Sequence, residues 1–189
     1  MYKRQVLERA DLLIKENDLS DRIRLVKGSP GPLPFEDEEF DLVYVTAVSC
    51  HIQDLAGFFG EINRVLKPEG WLAGLEWLIR EDNQAFRNWD DLLRERGLNF
   101  YFADKPAFEK VLYVSSFRNI DFDDRTDAFT GYANEALAKV QGELKDSLLL
   151  SLGDDGYSGF LEWTHARYRS FKDGGMYQQR FRAQNSATG

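Results

Sequence analysis

The sequence is poor in the residues that bind metals or form crosslinks. Cys50 is the only cysteine, and there are two histidines among 189 residues. A single cysteine excludes an internal disulfide, and one thiol with two imidazoles gives no recognisable metal-ligand spacing. The sequence therefore predicts neither a disulfide scaffold nor a metal site, and a reducing cytoplasm suits this composition best.

Basic charge is also in short supply. Lys and Arg number 24 against 32 Asp and Glu, which gives a net charge of −8 at neutral pH. Because an acidic surface repels the phosphate backbone, we expect a small-molecule substrate and no nucleic acid. Long apolar runs are missing as well, and Lys3 and Arg4 are followed by mixed residues rather than by the apolar core of a signal peptide. We therefore expect a soluble protein without a transmembrane segment.

The chain also lacks a glycine-rich phosphate loop. The only closely spaced glycines before the first long apolar strand are Gly28 and Gly31, and the prolines between positions 30 and 34 prevent that segment from opening a helix. The sequence therefore contains no dinucleotide-type phosphate cradle in this region.

The hydrophobic pattern of the first eighty residues alternates between helix and strand. The predicted elements are a helix over 6–14, a strand over 23–26, a strand over 40–47, a helix over 55–66 and a strand over 71–77. The run 40–47 is nearly all apolar, which indicates a central parallel strand covered on both faces. Such alternation predicts right-handed crossovers and a doubly wound sheet that binds ligands at the carboxyl ends of its strands. Functional residues should therefore gather near Thr46 to His51.

The second half of the chain predicts more helix than strand. The patterns indicate helices over 86–93, 104–112, 137–148 and 160–171, a strand beginning at Ile120, and a last strand over 177–183. Gly153 and Gly174 are expected to end the two longer helices. The last strand alternates apolar and polar residues, which favours a half-buried edge strand.

One continuous segment resembles a known family. Residues 33–70 read LPFEDEEFDLVYVTAVSCHIQDLAGFFGEINRVLKPEG. The segment resembles the core of class I S-adenosylmethionine-dependent methyltransferases, which commonly show LPF, an FDxV strand and a helix ending in RVLKPGG. Glu69 replaces the first glycine of that ending. Within this segment, the residues SCHIQD resemble the sequences of the small-molecule branch, which contains sterol, tocopherol and dimethylglycine methyltransferases.

The resemblance implies a fold, a cofactor and a chain extent. The fold is α/β, with a Rossmann-like, doubly wound, mostly parallel sheet and an antiparallel last strand. The cofactor is S-adenosylmethionine. The family's glycine-rich turn and ribose-binding acid would both precede Val6, so we expect an N-terminally truncated domain that lacks its first strands. Residues 1–189 then form a single partial domain, with a helical insertion over 131–173 as a candidate substrate lid.

The same resemblance suggests which residues meet the cofactor. Ser29 and Pro30 stand where Asp-Ala often contacts the adenine in the family. Thr46 and Ala47 stand where the fourth strand ends beneath the methionine part. The alternative is that 29–34 is merely a turn and Thr46 merely a strand end.

Three further residues are candidates for contact with the methyl acceptor. His51 follows the strand end, and a histidine there could accept a proton from the acceptor as the catalytic residue; the alternative is an ordinary hydrogen-bonded loop histidine. Trp77 and Trp163 could wall the substrate pocket and hold a cationic amine, although core packing is the commoner role of such aromatic residues. Cys50 is expected to be a buried filler outside the site.

The sequence thus predicts methyl transfer from S-adenosylmethionine to a small molecule. The alternative is a non-catalytic binding or assembly protein derived from a methyltransferase. Without the first strands, the strand over 40–47 would expose unpaired backbone, which favours self-association through that edge.

Overall fold

The computed structural model describes residues 2–186, with side chains from Val6 onward. It divides into two units, Met1–Pro34 and Phe35–Gly189, and each is described by itself.

The first unit contains one helix followed by irregular backbone. Helix α1 spans Tyr2–Glu16, which confirms the predicted helix and extends it at both ends. The strand predicted over 23–26 is wrong, because that segment has no regular secondary structure. A strand needs a neighbour to pair its N–H and C=O groups, and the described residues of this unit contain no second strand. Ser29 and Pro30 lie in this irregular segment and are exposed.

The second unit contains the sheet and five further helices within its described residues. In chain order its elements are β1 (Phe40–Thr46), α2 (Leu55–Val65), β2 (Leu66–Ile79), α3 (Gln84–Glu95), α4 (Lys105–Val114), β3 (Phe117–Asp124), α5 (Thr126–Gln141), α6 (Lys145–Lys172) and β4 (Met176–Asn185). Asp54, Asn83 and Asp104 cap helices α2, α3 and α4 with their side chains.

The described strands form one sheet in the order β1-β2-β4-β3. Strands β1 and β2 are parallel, and β4 is antiparallel to both β2 and β3. This arrangement confirms the mostly parallel sheet with an antiparallel last strand. Every described strand except β4 therefore runs in one direction.

Two predicted strand positions are wrong. Strand β1, predicted to be central and covered on both faces, ends the described sheet, and Leu42 and Tyr44 are 56% and 60% exposed. Strand β4, predicted to be an edge strand, lies between β2 and β3. The polar residues of β4 lie on a solvent-exposed face of the sheet. On that face Arg180 pairs with Asp123 of the neighbouring strand β3 at 2.7 Å. Alternation along a strand reports a solvated face and not an edge.

The core on one side of the sheet is built from aromatic and aliphatic side chains. Helix α2 buries the apolar face that the sequence predicts, with Phe59 and Ile62 almost fully enclosed. Phe108 of α4 contacts Phe59 at 5.4 Å and Phe181 of β4 at 5.2 Å between ring centroids. Edge-to-face contacts of this kind tie α2, α4 and β4 into one core.

The chain makes a tight turn near the start of β2, between Leu66 and Trp71. Glu69 has a φ of 63°, in the left-handed region that glycine favours. Its carboxylate and its carbonyl both accept hydrogen bonds from the Gln184 side chain, at 2.9 and 3.1 Å. The glutamate thus occupies a glycine conformation and is held there by the neighbouring strand.

Helices α5 and α6 occupy the segment between β3 and β4. The pattern predicted as one helix over 137–148 is divided, because α5 ends at Gln141 and Gly142 leaves the helical region. Gly153, with φ 72° and ψ 175°, interrupts α6 as predicted. Helix α5 follows the carboxyl end of β3 directly, and α6 ends just before β4. Both connections therefore lie at the end of the sheet where β1 and β2 also finish. None of the helices in residues 2–186 combines the length and apolarity needed to cross a bilayer.

Candidate functional site

The carboxyl end of β1 leads into a short ordered turn. Thr46 is exposed and stands opposite Leu75 of β2. Ala47 takes a left-handed φ of 48°, and its N–H donates to the Leu75 carbonyl at 2.8 Å. A 3-10 turn then spans Ser49–His51. Because β1 and β2 are parallel, this turn lies beside the carboxyl end of β2, where open α/β sheets bind ligands.

Glu76 of β2 anchors the turn from inside the protein. Its side chain is fully buried, and Oε1 accepts hydrogen bonds from the backbone N–H of Val48 at 3.1 Å and of Ser49 at 3.2 Å. Its second oxygen, Oε2, is also buried and has no hydrogen-bond partner among the described residues. Burial raises the pKa of this carboxyl, against the opposing effect of the hydrogen bonds from Ser49 and Val48. The site therefore contains a positioned buried carboxyl with one unused acceptor.

Glu76 is the functional candidate that the sequence reasoning missed. It shares one buried face of β2 with Leu72, Gly74 and Leu78. A carboxylate in an otherwise apolar face is rarely buried without a specific partner. That single charged residue in the pattern LAGLEWL is the signal that could have identified it.

Cys50 is buried, as the sequence analysis expects. Its side chain is 1% exposed. Burial, together with a smaller contribution from the nearby Glu76 carboxyl, raises the pKa of the thiol to about 12. A thiol that stays protonated at neutral pH is a poor nucleophile.

His51 lies at the rim of an aromatic cluster. Its ring is exposed and stands 4.5 Å from the ring of Phe100, which stacks on Phe102 at 5.3 Å. Phe102 in turn contacts Trp89 of α3 at 5.3 Å. A continuous run of ring contacts therefore leads from His51 into the core beneath α3.

Trp77 and Trp163 belong to the same aromatic cluster. The partly buried ring of Trp77 contacts Trp89 at 5.9 Å and Phe171 of α6 at 5.8 Å. Trp163 of α6 packs against the same group of buried side chains. The structure thus brings His51, Trp77 and Trp163 around one cluster, although both tryptophans also serve core packing.

The predicted cofactor residues fall into two groups. Thr46 and Ala47 lie at the sheet edge just described. Ser29 and Pro30 belong to the first unit, Met1–Pro34. The contacts of the second unit therefore bring together only the later part of the predicted site.

Comparison with known proteins identifies the family. The family described as "Methyltransferase domain" matches residues 2–74. The chain is also 28% identical over 171 residues to a sterol 24-C-methyltransferase of Pneumocystis carinii, covering 88% of this chain and 39% of the relative. With the sterol 24-C-methyltransferase of Aspergillus fumigatus it is 32% identical over 138 residues, covering 67% and 35% of the two chains. The chain belongs to the class I S-adenosylmethionine-dependent methyltransferase family.

Solved methyltransferase structures share this fold. A Galdieria sulphuraria protein described as a sarcosine dimethylglycine methyltransferase superposes with a TM-score of 0.81 at 16% identity, over 95% of this chain and 65% of that one. Phosphoethanolamine N-methyltransferase 2 of Haemonchus contortus, solved with S-adenosyl-L-methionine, gives a TM-score of 0.69 at 20% identity, over 80% and 34% of the two chains. The chain spans about two fifths or less of the first curated methyltransferases that it matches.

Proposed function

We propose that the protein transfers a methyl group from S-adenosylmethionine to a small-molecule acceptor at the carboxyl ends of β1 and β2. The observation that carries this proposal is the buried Glu76 carboxyl. It holds Val48 and the 3-10 turn after it, together called the turn 48–51, at the carboxyl ends of these strands. Rigid placement of the turn suits methyl transfer, because such a displacement depends mainly on aligning the reacting atoms.

The residues present fit part of the cofactor. When bound, S-adenosylmethionine supplies a methyl group carried on a positively charged sulfur. The unused buried acceptor of Glu76 suits a site that receives positive charge. Thr46 and Ala47 would lie beneath the methionine part, whereas the adenine contact of Ser29 and Pro30 stays a prediction from the sequence.

His51 would act on the acceptor. S-adenosylmethionine held beside Thr46 and Ala47 would supply the methyl group to a nucleophilic atom of the acceptor. Where that atom carries a proton, the imidazole of His51 can take it. The exposure of His51 at the turn gives an acceptor access to it.

Helices α5 and α6 would cover the acceptor. Both connect to the sheet at the same end as the turn 48–51, and α6 contributes Trp163 to the cluster that also contains Trp77. The two tryptophans would line one wall of the acceptor pocket. The similar proteins are named for acceptors as different as sterol, phosphoethanolamine and geranyl diphosphate. We therefore propose a small-molecule acceptor without naming the compound. A cytoplasmic location fits this role and the composition.

Calorimetric titration with S-adenosylmethionine tests the proposal. The titration is made on this chain and on any longer protein that an in-frame upstream sequence encodes. We expect binding, followed by methyl transfer in a panel of small acceptors. In the active protein, His51→Ala should lower kcat/KM at least tenfold while leaving cofactor affinity unchanged. Absence of cofactor binding in both proteins would reject the proposed function, and an unchanged kcat/KM would reject the role of His51.

A non-catalytic assembly role is the second candidate. Leu42 and Tyr44 of β1 are exposed, and β2 is the only described strand that pairs with β1. An open strand edge with exposed apolar side chains favours self-association. Sedimentation velocity separates the candidates: concentration-dependent assembly that Tyr44→Lys abolishes supports this role, whereas a monomer at all concentrations contradicts it.

A further inference from the structure

Arg167 of α6 holds its charge in an unusual setting. Its guanidinium carbon lies 4.5 Å from the centroid of the Trp163 ring, one helical turn earlier. Its Nε atom is buried and has no hydrogen-bond partner among the described residues. A buried donor without a partner costs free energy, because it has given up water and gained nothing in return.

Arg167 also differs from the neighbouring arginine of the same helix. Arg169 is exposed and pairs with Asp173 at 2.6 Å. Arg167 makes no ion pair with any carboxylate of the described residues. Burial lowers the pKa of Arg167, and Tyr132 of α5 opposes this effect. An arginine nevertheless remains charged at any physiological pH. The protein thus keeps a partly desolvated cation with no anion to neutralise it.

The position of Arg167 connects it to the candidate site. Trp163 and Ala166 pack against the aromatic cluster that also contains Trp77, at the carboxyl end of β2. The guanidinium carbon packs over the Trp163 ring, so a ligand that contacts Trp163 would also lie close to the guanidinium group. A planar guanidinium offers two parallel donors that match the oxygens of a carboxylate or phosphate.

We infer that Arg167 binds an oxyanion, carboxylate or phosphate, that forms part of the methyl acceptor. The acceptor is therefore an anionic small molecule. This inference rests on the proposed function, since it places the oxyanion beside Trp163 in the proposed acceptor pocket. The protein as a whole carries a net charge of −8 and does not attract anions, so recognition depends on this local cation.

The first experiment uses inorganic phosphate and acetate as probes, with chloride at matched ionic strength as the reference. Thermal unfolding and tryptophan fluorescence are recorded for the wild type, Arg167→Gln, Arg167→Lys and the control Arg169→Gln. We expect at least one of the two oxyanions to raise Tm and change the fluorescence of the wild type and of Arg169→Gln. Arg167→Gln should bind at least tenfold more weakly, and Arg167→Lys should fall between them because it retains charge without the planar fork.

The outcomes separate this inference from the proposed function. A response to phosphate alone assigns a phosphorylated acceptor, and a response to acetate alone assigns a carboxylate. No response in the wild type, or an equal response in Arg167→Gln, overturns the inference. The cofactor titration tests methyl transfer separately, since it does not involve Arg167. In a protein that binds cofactor, an amine and its phosphate ester or carboxylated analogue then form a matched acceptor pair, and Arg167→Gln should raise KM for the anionic member only.

Discussion

Glu76 Oε1 lies 3.2 Å from the backbone nitrogen of Ser49 and accepts its hydrogen bond inside the protein. The same oxygen accepts from Val48, so one carboxyl of β2 sets the course of the chain after β1. Two donors on one oxygen leave the other oxygen without a partner in the described residues, which is the costly feature of this arrangement.

The pH dependence of stability should report Glu76. Its pKa in the folded protein is raised above the ordinary value of 4.5 because burial disfavours the charged form. Between the unfolded and folded pKa the folded state binds more protons, so the stabilising contribution is complete below the unfolded pKa and is lost as pH rises through the folded pKa. Chemical unfolding from pH 4 to pH 8 should show a steeper loss for the wild type than for Glu76→Gln, which has no such proton. Parallel profiles for the two proteins would contradict this assignment.

Removing the acceptor from Glu76 should be more damaging than removing its charge. Glu76→Gln keeps a carbonyl oxygen for the N–H groups of Val48 and Ser49, whereas Glu76→Ala leaves both buried donors unsatisfied. We expect Glu76→Ala to be less stable than Glu76→Gln by about 2 kcal/mol at pH 5. Denaturant unfolding of the pair measures the difference, and equal stability would show that the hydrogen bonds do not hold the turn.

Cys50 should resist thiol reagents in the folded protein. Its pKa is raised to about 12 by burial and by Glu76, so little thiolate exists near neutral pH. Labelling with iodoacetamide at pH 8 should be at least a hundredfold slower in buffer than in denaturant, which exposes the same thiol. Rapid native labelling at one site per chain would show that the turn opens frequently.

The backbone at Glu69 should favour glycine over alanine. Its φ of 63° costs a residue with a side chain about 1 kcal/mol, which glycine does not pay. Glu69→Gly loses the hydrogen bond from Gln184 to the carboxylate, and so does the control Glu69→Ala. The Gly variant should therefore be more stable than the Ala variant by about 1 kcal/mol in denaturant unfolding. Equal stability of the two variants would mean that the backbone relaxes out of this conformation without cost.

Asn185 should be intolerant of a negative charge. Its buried side-chain amide donates to the carbonyls of Leu66 at 3.0 Å and Lys67 at 3.1 Å, and its oxygen accepts from Asn63 at 2.8 Å. Asn185→Asp replaces the donor with an acceptor that faces two carbonyls. It should cost about 3 kcal/mol at pH 7 and less at pH 4, where the new carboxyl is protonated. Asn185→Ser, which keeps a donor, is the matched control, and a loss that does not depend on pH would reject this explanation.

Sequence patterns predicted the parts of the fold that depend on local periodicity. The apolar face of α2, its end before Pro68 and the break at Gly153 are all local properties of the chain. The position of β4 depends instead on which strands flank it. Its alternating pattern is the same whether Asp123 pairs with Arg180 on an exposed sheet face or the strand lies at an edge.

The candidate site shows the same division. Thr46, Ala47 and His51 could be chosen because the fold class places ligands after a buried strand. Glu76 stands out in the sequence as the single charge in LAGLEWL, but its contact with the turn, like the role of Arg167, arises from what surrounds the residue in space. One lies across from the turn 48–51, and the other lies over Trp163 with a buried donor and no carboxylate. Burial and pairing of charges are tertiary properties, so a sequence pattern does not report them.

The place of β4 between β2 and β3 also sets an order of events during synthesis. Both flanking strands leave the ribosome before the strand that must join them, and β3 reaches the sheet through β4 alone among the described strands. A nascent chain that has emerged only as far as α6 therefore presents the open side of β2 to its surroundings. Such a chain is prone to mispairing until the last strand arrives, which makes the interval between β3 and β4 the stage at which a chaperone would matter most.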